Sequence, residues 1–430
     1  MALEDYANDM WRCTRCSYCK FVPYMKQDKK EYETVCPSVD EYAFHGYSCS
    51  GRLISALAFL EERIDYTDGF LDMIYRCLLD GACDVSCKNQ RDMEPLQIMQ
   101  ELRARCVTDG QMLPEHMLHI DGLRKEDNMM LAKKADRDKW AAGLDIRRLG
   151  QESAKVLLHV GCRYSFDEDL WPVLTKAAKL LKKAGIDFGI MGTDEVCCGL
   201  RPFEMGYRAE ALKYAESNTE NWKARKVKTV VTLCSDCYQS FNVNYERFKL
   251  KPAGVEVLHI TQYLERLIKA KKLKLKKEIP VHVTYHDPCH LGRLGEPWIH
   301  WEGVERRVTE GLVGLIVHDP PKEFRRGANG VYEAPRDILR AIPGINLTEM
   351  ERIREYAWCC GAGGGVYEAF PDFAESTATK RIAEAKSTGA DAIVTACPWC
   401  VRVFKDAIAK NGDSMEVHDI IELVAEATNI

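Results

Sequence analysis

Thr229-Val-Val-Thr-Leu-Cys234-Ser-Asp-Cys237 is a β-rich run that ends in a Cys-x-x-Cys pair, and it recurs as Ala392-Ile-Val-Thr-Ala-Cys397-Pro-Trp-Cys400. Upstream of each run stands a pair of adjacent cysteines with a glycine, at Cys197-Cys198-Gly199 and at Cys359-Cys360-Gly361. The spacers that lead from these pairs to the next cysteine have 35 and 36 residues. Such close agreement indicates an internal repeat, which predicts two similar domains in one chain.

Each copy opens with a short β-rich run that ends in a cysteine, Val156-Leu-Leu-His-Val-Gly-Cys162 in the first and Val281-His-Val-Thr-Tyr-His-Asp-Pro-Cys289 in the second. Helical patterns follow at residues 174–184 and 377–387. Short apolar strands that alternate with helices favour a parallel α/β sheet, in which ligands gather at the carboxyl ends of the strands. The sequence therefore predicts two α/β cysteine-rich domains.

The second copy is longer than the first between its opening cysteine and its adjacent pair. Cys162 and Cys197 enclose 34 residues, whereas Cys289 and Cys359 enclose 69. We expect the additional residues to form an insertion over 296–329. A long insertion beside a ligand-bearing loop is typical of a lid or a partner surface, and a surface ornament is the alternative.

Ahead of the repeat, residues 1–130 carry nine cysteines and a mostly helical pattern. Cys13-x-x-Cys16-x-x-Cys19 with Cys36-Pro37 is the bacterial ferredoxin run, its last gap stretched from three residues to sixteen. The run Cys77-x-x-Asp80-x-x-Cys83-x-x-x-Cys87 repeats the spacing, with an aspartate at the second position. These two runs predict a ferredoxin-like domain with two clusters.

Two-cluster ferredoxins exchange the fourth ligand between their two runs. One site would then use Cys13, Cys16, Cys19 and Cys87, and the other Cys36, Cys77, Cys83 and Asp80. Because a carboxylate is a harder ligand than a thiolate, we expect a three-iron or a labile four-iron cluster at the second site. Cys49 is an alternative fourth ligand. Zinc is the alternative metal, although it has no use for the third closely spaced cysteine.

Each copy of the repeat supplies five thiolates, more than a tetrahedral zinc or an ordinary cubane requires. A larger or more open iron–sulphur assembly accommodates them. In the run that follows the second adjacent pair, the N–H groups of Gly361, Gly363 and Gly364 are predicted to approach bridging sulphides. A phosphate-binding loop is the rival interpretation, but no Gly-Lys-Ser/Thr follows.

Composition limits the class of protein. The 430 residues include 60 Lys+Arg and 65 Asp+Glu, a net charge of −5 that argues against a nucleic-acid partner. The longest strongly apolar stretch, Leu53–Leu60, is too short to span a membrane, and the N-terminus lacks a secretory signal. We therefore expect a cytoplasmic location, where disulfides are disfavoured and the 19 cysteines are expected to bind metal.

Polar segments separate the predicted domains. We expect a ferredoxin-like domain over 1–130, a connector over 131–150 with a helical tract around 131–144, and cysteine-rich domains over 151–270 and 278–430. Residues 269–277 hold six lysines in nine residues. This run is interpreted as a solvated helix end and linker, with a docking patch for an acidic partner as the alternative.

Taken together, these motifs resemble a known family. Two Cys-Cys-Gly units, with His286-Asp-Pro-Cys-His-Leu-Gly-Arg293 and Gly330-Val-Tyr-Glu-Ala-Pro-Arg336 in the second, are similar to the cysteine-rich catalytic subunits of heterodisulfide reductases. The fused N-terminal domain resembles the long form of that family. Its relatives include iron–sulphur subunits of glycolate, lactate and glycerol-3-phosphate dehydrogenases, and a heterodisulfide-reductase-like subunit of the tungsten-type benzoyl-CoA reductase complex.

The resemblance implies one noncubane four-iron cluster in one or both cysteine-rich domains, besides one or two [4Fe–4S] clusters near the N-terminus. It carries over two sets of ligands, Cys162, Cys197, Cys198, Cys234 and Cys237 in the first domain and Cys289, Cys359, Cys360, Cys397 and Cys400 in the second. A disulfide substrate would be split between the two clusters. His286 and His290 are candidate neighbours, either hydrogen-bonding to the thiolates or donating protons.

The implied function is an iron–sulphur oxidoreductase subunit within a hetero-oligomer, fed by a flavoprotein or an iron–sulphur donor. The alternative is an electron-transfer module with no substrate of its own that serves a partner enzyme. Asp80 and the absence of a flavin or nucleotide fingerprint favour dependence on partners.

Overall fold

Helices joined by cysteine-bearing loops make up the described residues between 2 and 126. A computed structural model describes residues 2–90, 93–150, 153, 155–309 and 316–430. Ser48 and Thr67 cap two of the helices by accepting hydrogen bonds from Gly51 N and Phe70 N. The helices are α1 Ala7–Trp11, α2 Pro37–Tyr42, α3 Cys49–Leu60, α4 Asp68–Tyr75, α5 Ala82–Gln90, α6 Pro95–Thr108 and α7 Pro114–Glu126.

The first repeat forms a five-stranded parallel sheet with strand order β1-β3-β2-β4-β5. Its strands are β1 Arg147–Arg148, β2 Val156–His159, β3 Phe188–Ile190, β4 Thr229–Thr232 and β5 Glu256–His259. Parallel neighbours require crossover connections, which the helices provide. They are α8 Cys162–Phe166, α9 Trp171–Lys183, α10 Leu200–Glu204, α11 Arg208–Ala224, α12 Ser235–Gln239, α13 Tyr245–Arg247 and α14 Ile260–Lys269.

The second repeat forms a four-stranded parallel sheet and carries a separate antiparallel hairpin. The sheet consists of β6 His282–Tyr285, β9 Asn346–Leu347, β10 Ala392–Thr395 and β11 Glu416–Asp419, and the hairpin of β7 Val304–Arg307 and β8 Ile316–Asp319. Its helices are α15 Glu333–Ala341, α16 Val366–Ala369, α17 Pro371–Lys386, α18 Pro398–Asn411 and α19 Ile420–Ala427.

The two sheets share one strand order. Reading across each sheet gives β3-β2-β4-β5 in the first and β9-β6-β10-β11 in the second, and β1 is an addition to the edge of the first. Helices of the two repeats pack directly on each other, α9 against α19 and α14 against α15, so that one hydrophobic core runs through both. The predicted fold class, a helical N-terminal part followed by two similar α/β units, is confirmed.

The helical tract predicted around residues 131–144 is wrong. This part of the connector forms two short 3-10 turns, Lys134–Asp136 and Lys139–Ala141. Tertiary contacts override the helical pattern here, because Arg137 is drawn into the interior, where it is 1% exposed and lies 3.2 Å from Glu195. The first cysteine-rich domain is predicted to begin at residue 151. Residues 151, 152 and 154 lie outside the described residues.

The lysine-rich run begins at the last residue of α14. Lys269 pairs with Glu265 on its own helix and with Asp337 on α15 at 3.1 Å, and Lys277 pairs with Glu426 at 2.7 Å. These contacts fasten the run to the second repeat. They agree with the interpretation of a solvated helix end and linker.

The predicted insertion contains the hairpin, and residues 310–315 within it lie outside the described residues. Glu296 closes its base. One carboxylate oxygen accepts from Gly327 N at 2.6 Å and the other from Asn329 N at 3.0 Å, while the side chain is nearly fully buried. The insertion packs against the N-terminal part, where Trp298 and Phe324 share a cavity with Asp9 and Glu94.

Replacing Glu296 with Ala should loosen the insertion. Each hydrogen bond to a charged group contributes about 1.5–3 kcal/mol, so the open population should rise roughly tenfold or more. Limited trypsin digestion, followed by mass spectrometry, measures cleavage after Lys322, Arg325 and Arg326. Glu302→Ala is the matched control, since that side chain is 90% exposed. Equal cleavage rates in both variants would contradict a closing role for Glu296.

Candidate metal centre

The cysteines of the repeat stand at the carboxyl ends of the central strands. Cys234 follows β4 and directly precedes α12, and Cys397 follows β10 and directly precedes α18. Cys162 begins α8 after β2, and Cys289 lies in the loop after β6. Because β2 neighbours β4 and β6 neighbours β10, each sheet brings its cysteines to a single edge.

A glycine after each adjacent pair of cysteines makes the turn that the pair requires. Gly199 and Gly361 have φ values of 82° and 102°, which side chains rarely adopt. A Cβ atom on Gly361 would lie 2.3 Å from the carbonyl oxygen of Ala374. Each glycine N–H also donates to a thiol two residues earlier, Cys197 and Cys359, at 3.4 Å. The glycine thus provides both space and a hydrogen-bond donor.

Ten thiols from the two repeats form one continuous chain of side-chain contacts. Within each repeat the five predicted cysteines come together. The two sets meet where the thiols of Cys234 and Cys397 touch. In order of contact the chain is Cys162, Cys197, Cys198, Cys237, Cys234, Cys397, Cys400, Cys360, Cys359 and Cys289.

Contact among the thiols makes some of them acidic. Hydrogen bonds from Cys197 and Cys237 lower the pKa of Cys198 to about 6. Hydrogen bonds from Cys289 and Cys360 hold the pKa of Cys359 well below its ordinary value. Each set therefore presents a thiolate at neutral pH, the form that binds metal. All 19 cysteines are free thiols.

His290 connects the two repeats. It follows Cys289 in the second repeat, but its Nδ1 lies 2.6 Å from Asp236 and its Nε2 3.0 Å from Glu204, both in the first repeat. Against the effect of burial, the two carboxylates hold the pKa of His290 well above its ordinary value. His290 is therefore a buried imidazolium beside the line where the two thiol sets meet.

His286 has a different environment, within its own repeat. Its ring nitrogen and the sulphur atoms of Cys360 and Cys400 lie within 4.8 Å of one another. Arg381 donates to its Nδ1 at 3.1 Å, and burial together with this charge keeps the pKa of His286 well below its ordinary value. Its Nε2 has no hydrogen-bond partner in the described part of the chain. A neutral imidazole thus faces the second thiol set.

Buried charged side chains surround the first thiol set, and the spacing of the cysteines did not predict them. Arg137 lies 3.7 Å from the sulphur of Cys162, and Glu195 accepts from Val160 N and Gly161 N at 2.9 Å each. His159, 3.7 Å from Glu195, stands three residues before Cys162, as His286 stands three before Cys289. That shared offset was the available sequence signal for His159.

An ion-pair network fixes the loop that carries Cys289. Asp287 binds the guanidinium of Arg336 at 2.7 and 2.9 Å and accepts from Arg354 N at 2.8 Å. Arg336 is fully buried and also pairs with Glu349 at 2.7 Å. The arginine of the Gly330–Arg336 motif therefore holds the aspartate of the His286–Arg293 motif in place.

Five cysteines near the N-terminus line one cavity, and four of these belong to the two ferredoxin-type runs. These four are the three of the first run and the last of the second, Cys13, Cys16, Cys19 and Cys87. The combination is the one that ligand exchange between the two runs predicts. Cys49 also lines this cavity, and Cys16 is exposed at the surface.

Three further cysteines gather at a second position. Charge interactions connect Cys36 with Cys77 and Cys83. Asp80 is near them, yet its carboxylate pairs with Arg293 of the second repeat at 2.9 Å. Cys106 is buried in the helical core, where its thiol interacts with Tyr66 and Tyr75.

The glycine run of the second repeat packs on the N-terminal part. Cβ atoms on Gly363 and Gly364 would lie 2.5 and 2.6 Å from the carbonyl oxygens of Leu78 and Cys77. Gly363 lines a cavity beside the second thiol set, whereas Gly364 N donates to Glu204 at 3.2 Å. The glycine run thus lies close to the second cysteine run of the N-terminal part, which begins at Cys77.

Comparison with protein families identifies the repeated unit. The model of a cysteine-rich domain named CCG matches residues 156–242 and 317–405. The second match begins inside the insertion, so β6 and Cys289 lie ahead of it. None of the helices in the described part of the chain is long and apolar enough to cross a membrane.

Relatives of known name match most of the chain. It is 29% identical over 427 residues to a subunit of the dihydromethanophenazine:CoB–CoM heterodisulfide reductase of Methanosarcina acetivorans, covering 97% of this chain and 94% of that one. It is 30% identical to the corresponding subunit of Methanosarcina barkeri, covering 84% and 79%. An EtfAB:quinone oxidoreductase of Syntrophomonas wolfei is 27% identical, covering 86% of this chain and 48% of that one.

A solved structure has the same fold. A hypothetical protein from Helicobacter pylori superimposes with a TM-score of 0.54 at 11% identity, covering 89% of this chain and 68% of that one. At this identity the likeness concerns the fold alone.

We predict that Arg201 stabilises the contact between the two repeats. It pairs with Glu368 at 2.6 Å and stacks on Trp399, both in the second repeat, and it is 4% exposed. Arg201→Met leaves Glu368 buried without a partner, which should cost about 3–5 kcal/mol of stability. The measurement is the midpoint of anaerobic thermal unfolding.

The matched control for Arg201→Met is Lys410→Met, which removes an ion pair with Glu375 from a side chain that is 61% exposed. Its midpoint should stay close to that of the unaltered protein. If both variants unfold at the same temperature, the buried pair does not hold the repeats together.

Proposed function

The chain belongs to the family of cysteine-rich heterodisulfide reductase subunits, and on that premise we propose that it is the iron–sulphur subunit of an oxidoreductase complex. It would take electrons into ferredoxin-type clusters near its N-terminus and pass them to cysteine-rich clusters in the repeat. Its relatives bear the names of oxidoreductases and their subunits.

One observation carries the proposal: ten thiols of two repeats stand in a single chain of contacts. Five thiols per set exceed the four that a tetrahedral zinc ion takes, and all-thiolate surroundings favour iron–sulphur clusters over hard metals. Eight of the ten are buried, and Cys162 and Cys289 are partly exposed. The donor set therefore fits iron–sulphur clusters held in the protein interior.

We assign one noncubane four-iron cluster to each set. The ligands are Cys162, Cys197, Cys198, Cys234 and Cys237 in the first repeat and Cys289, Cys359, Cys360, Cys397 and Cys400 in the second. The N-terminal cysteines would hold two ferredoxin-type clusters, with Cys13, Cys16, Cys19 and Cys87 at the first. When bound, such clusters supply electrons one at a time.

Electrons would enter at the first N-terminal site. Cys16 is exposed, and the side chains of Tyr24 and Met25 beside it are 82% and 78% exposed in a shared cavity. Exposed large apolar side chains beside a redox site suit the docking of an electron-transfer partner, a flavoprotein or an iron–sulphur protein. Electrons would then pass inward through the second N-terminal site, since the carbonyl oxygen of its Cys77 lies against Gly364 of the repeat.

A disulfide is the substrate class that the paired sets suit. Its reduction is RS–SR′ + 2 e⁻ + 2 H⁺ → RSH + R′SH, so the site must provide two electrons and two protons. A cavity beside the second thiol set is lined by Cys289 and Cys397, by His290 and Trp399, and by Arg201 of the first repeat. His290, charged and held by two carboxylates, is the candidate proton donor.

A second candidate function is electron transfer without a substrate of its own. The observation that favours it is that the polar side chains of this cavity are already paired, Arg201 with Glu368 and His290 with Asp236. In that case the partner enzyme performs the chemistry, as in a benzoyl-CoA reductase complex or a glycolate, lactate or glycerol-3-phosphate dehydrogenase. Both functions suit a cytoplasmic location, where thiols stay reduced.

Metal analysis and a disulfide assay test the proposal. Anaerobically purified protein should contain iron and acid-labile sulphide, and zinc without iron would overturn both functions. With a reduced viologen dye as donor, a disulfide should be consumed and should induce a paramagnetic signal. Cys360→Ala should lose both by about 100-fold or more, whereas Cys106→Ala, which alters a buried thiol outside the repeat, should keep them. Iron-loaded protein without either response supports the electron-transfer module.

A further inference from the structure

The second N-terminal site has one thiol fewer than the first. Cys13, Cys16, Cys19 and Cys87 line the first site. The second gathers Cys36, Cys77 and Cys83, and Asp80 occupies the position where the spacing of the run calls for a fourth thiol. A complete cubane requires a further ligand there.

The carboxylate of Asp80 has other partners. One oxygen lies 2.9 Å from Arg293, and the other accepts from Ala82 N at 3.3 Å. Both side chains are nearly fully buried, with 1% of Arg293 and 11% of Asp80 exposed. Withdrawing the carboxylate to bind iron would leave a buried guanidinium without its counter-charge, which is strongly unfavourable. Asp80 therefore serves the contact with the second repeat.

Cys49 lies beside the incomplete site. Its thiol lines the cavity of the first site with Cys19, and Cys83 of the second site packs against the same core cluster and interacts with it. It begins α3, whose position is fixed by the Ser48 cap and by the buried Arg52, which donates to Met73 O at 2.7 Å. The thiol is thus held by a well-anchored helix in the helical core, beside the cysteines of both N-terminal sites.

We propose that Cys49 supplies the fourth ligand of the second N-terminal cluster, in place of Asp80. This inference rests on the proposed function, because it requires that the N-terminal cysteines hold iron–sulphur clusters. The site then has four thiolates, Cys36, Cys49, Cys77 and Cys83, and is a stable [4Fe–4S] cluster rather than a three-iron one. Since Cys49 also lines the cavity of the first site with Cys19, this ligand lies between the two N-terminal sites.

Iron content and low-temperature EPR of the full chain, purified anaerobically, test the assignment. Cys49→Ala should lose about four irons per chain, or turn one four-iron signal into a three-iron signal. Asp80→Asn should keep the iron content and the signals. Cys106→Ala is the control for loss of a buried thiol elsewhere in the same helical core and should match the unaltered protein.

Cys49→Ser addresses the case in which Cys49→Ala fails to fold, because serine keeps nearly the same volume. An oxygen ligand should shift the EPR signal of one N-terminal cluster while the signals of the repeat stay. The assignment is overturned if Cys49→Ser leaves every signal unchanged, if Asp80→Asn loses the cluster that Cys49→Ala keeps, or if Cys49→Ala removes the cluster of Cys13. Absence of iron in the unaltered protein is a different result, the failure of the proposed function.

Discussion

Ten thiols in contact impose the constraint on which the rest of this structure depends. Thiolates that share a protein interior repel one another, so they need positive charge and hydrogen-bond donors close by. Arg137 lies beside Cys162, Arg293 lies near Cys359, and glycine N–H groups point at the adjacent pairs. The arginines are in turn balanced by buried carboxylates, Glu195 and Asp80.

These balancing groups come from distant parts of the chain, which ties the parts together. Arg137 belongs to the connector and Glu195 to the first repeat, while Asp80 belongs to the N-terminal part and Arg293 to the second repeat. The same contacts therefore compensate the buried charges and hold the parts of the fold together. Buried ion pairs of this kind specify an arrangement more than they add stability.

Much of this could be predicted from the sequence, because the informative residues are close together along the chain. The repeat, its parallel strands and the grouping of cysteines by set follow from local spacing. The contacts of Asp80 with Arg293 and of His290 with Glu204 join residues 213 and 86 positions apart, and no local pattern encodes them. The helix predicted in the connector is wrong for the same reason, since Arg137 makes tertiary contacts with Glu195 and Cys162 that no local pattern encodes.

The glycine run has a consequence for how this protein can change over time. Because Gly363 and Gly364 leave no room for a side chain against Leu78 and Cys77, two backbones meet there directly. The seam therefore excludes a Cβ atom at either glycine. A replacement for the N-terminal part would have to reproduce the backbone at Leu78 and Cys77, so this part and the second repeat are expected to change together during evolution.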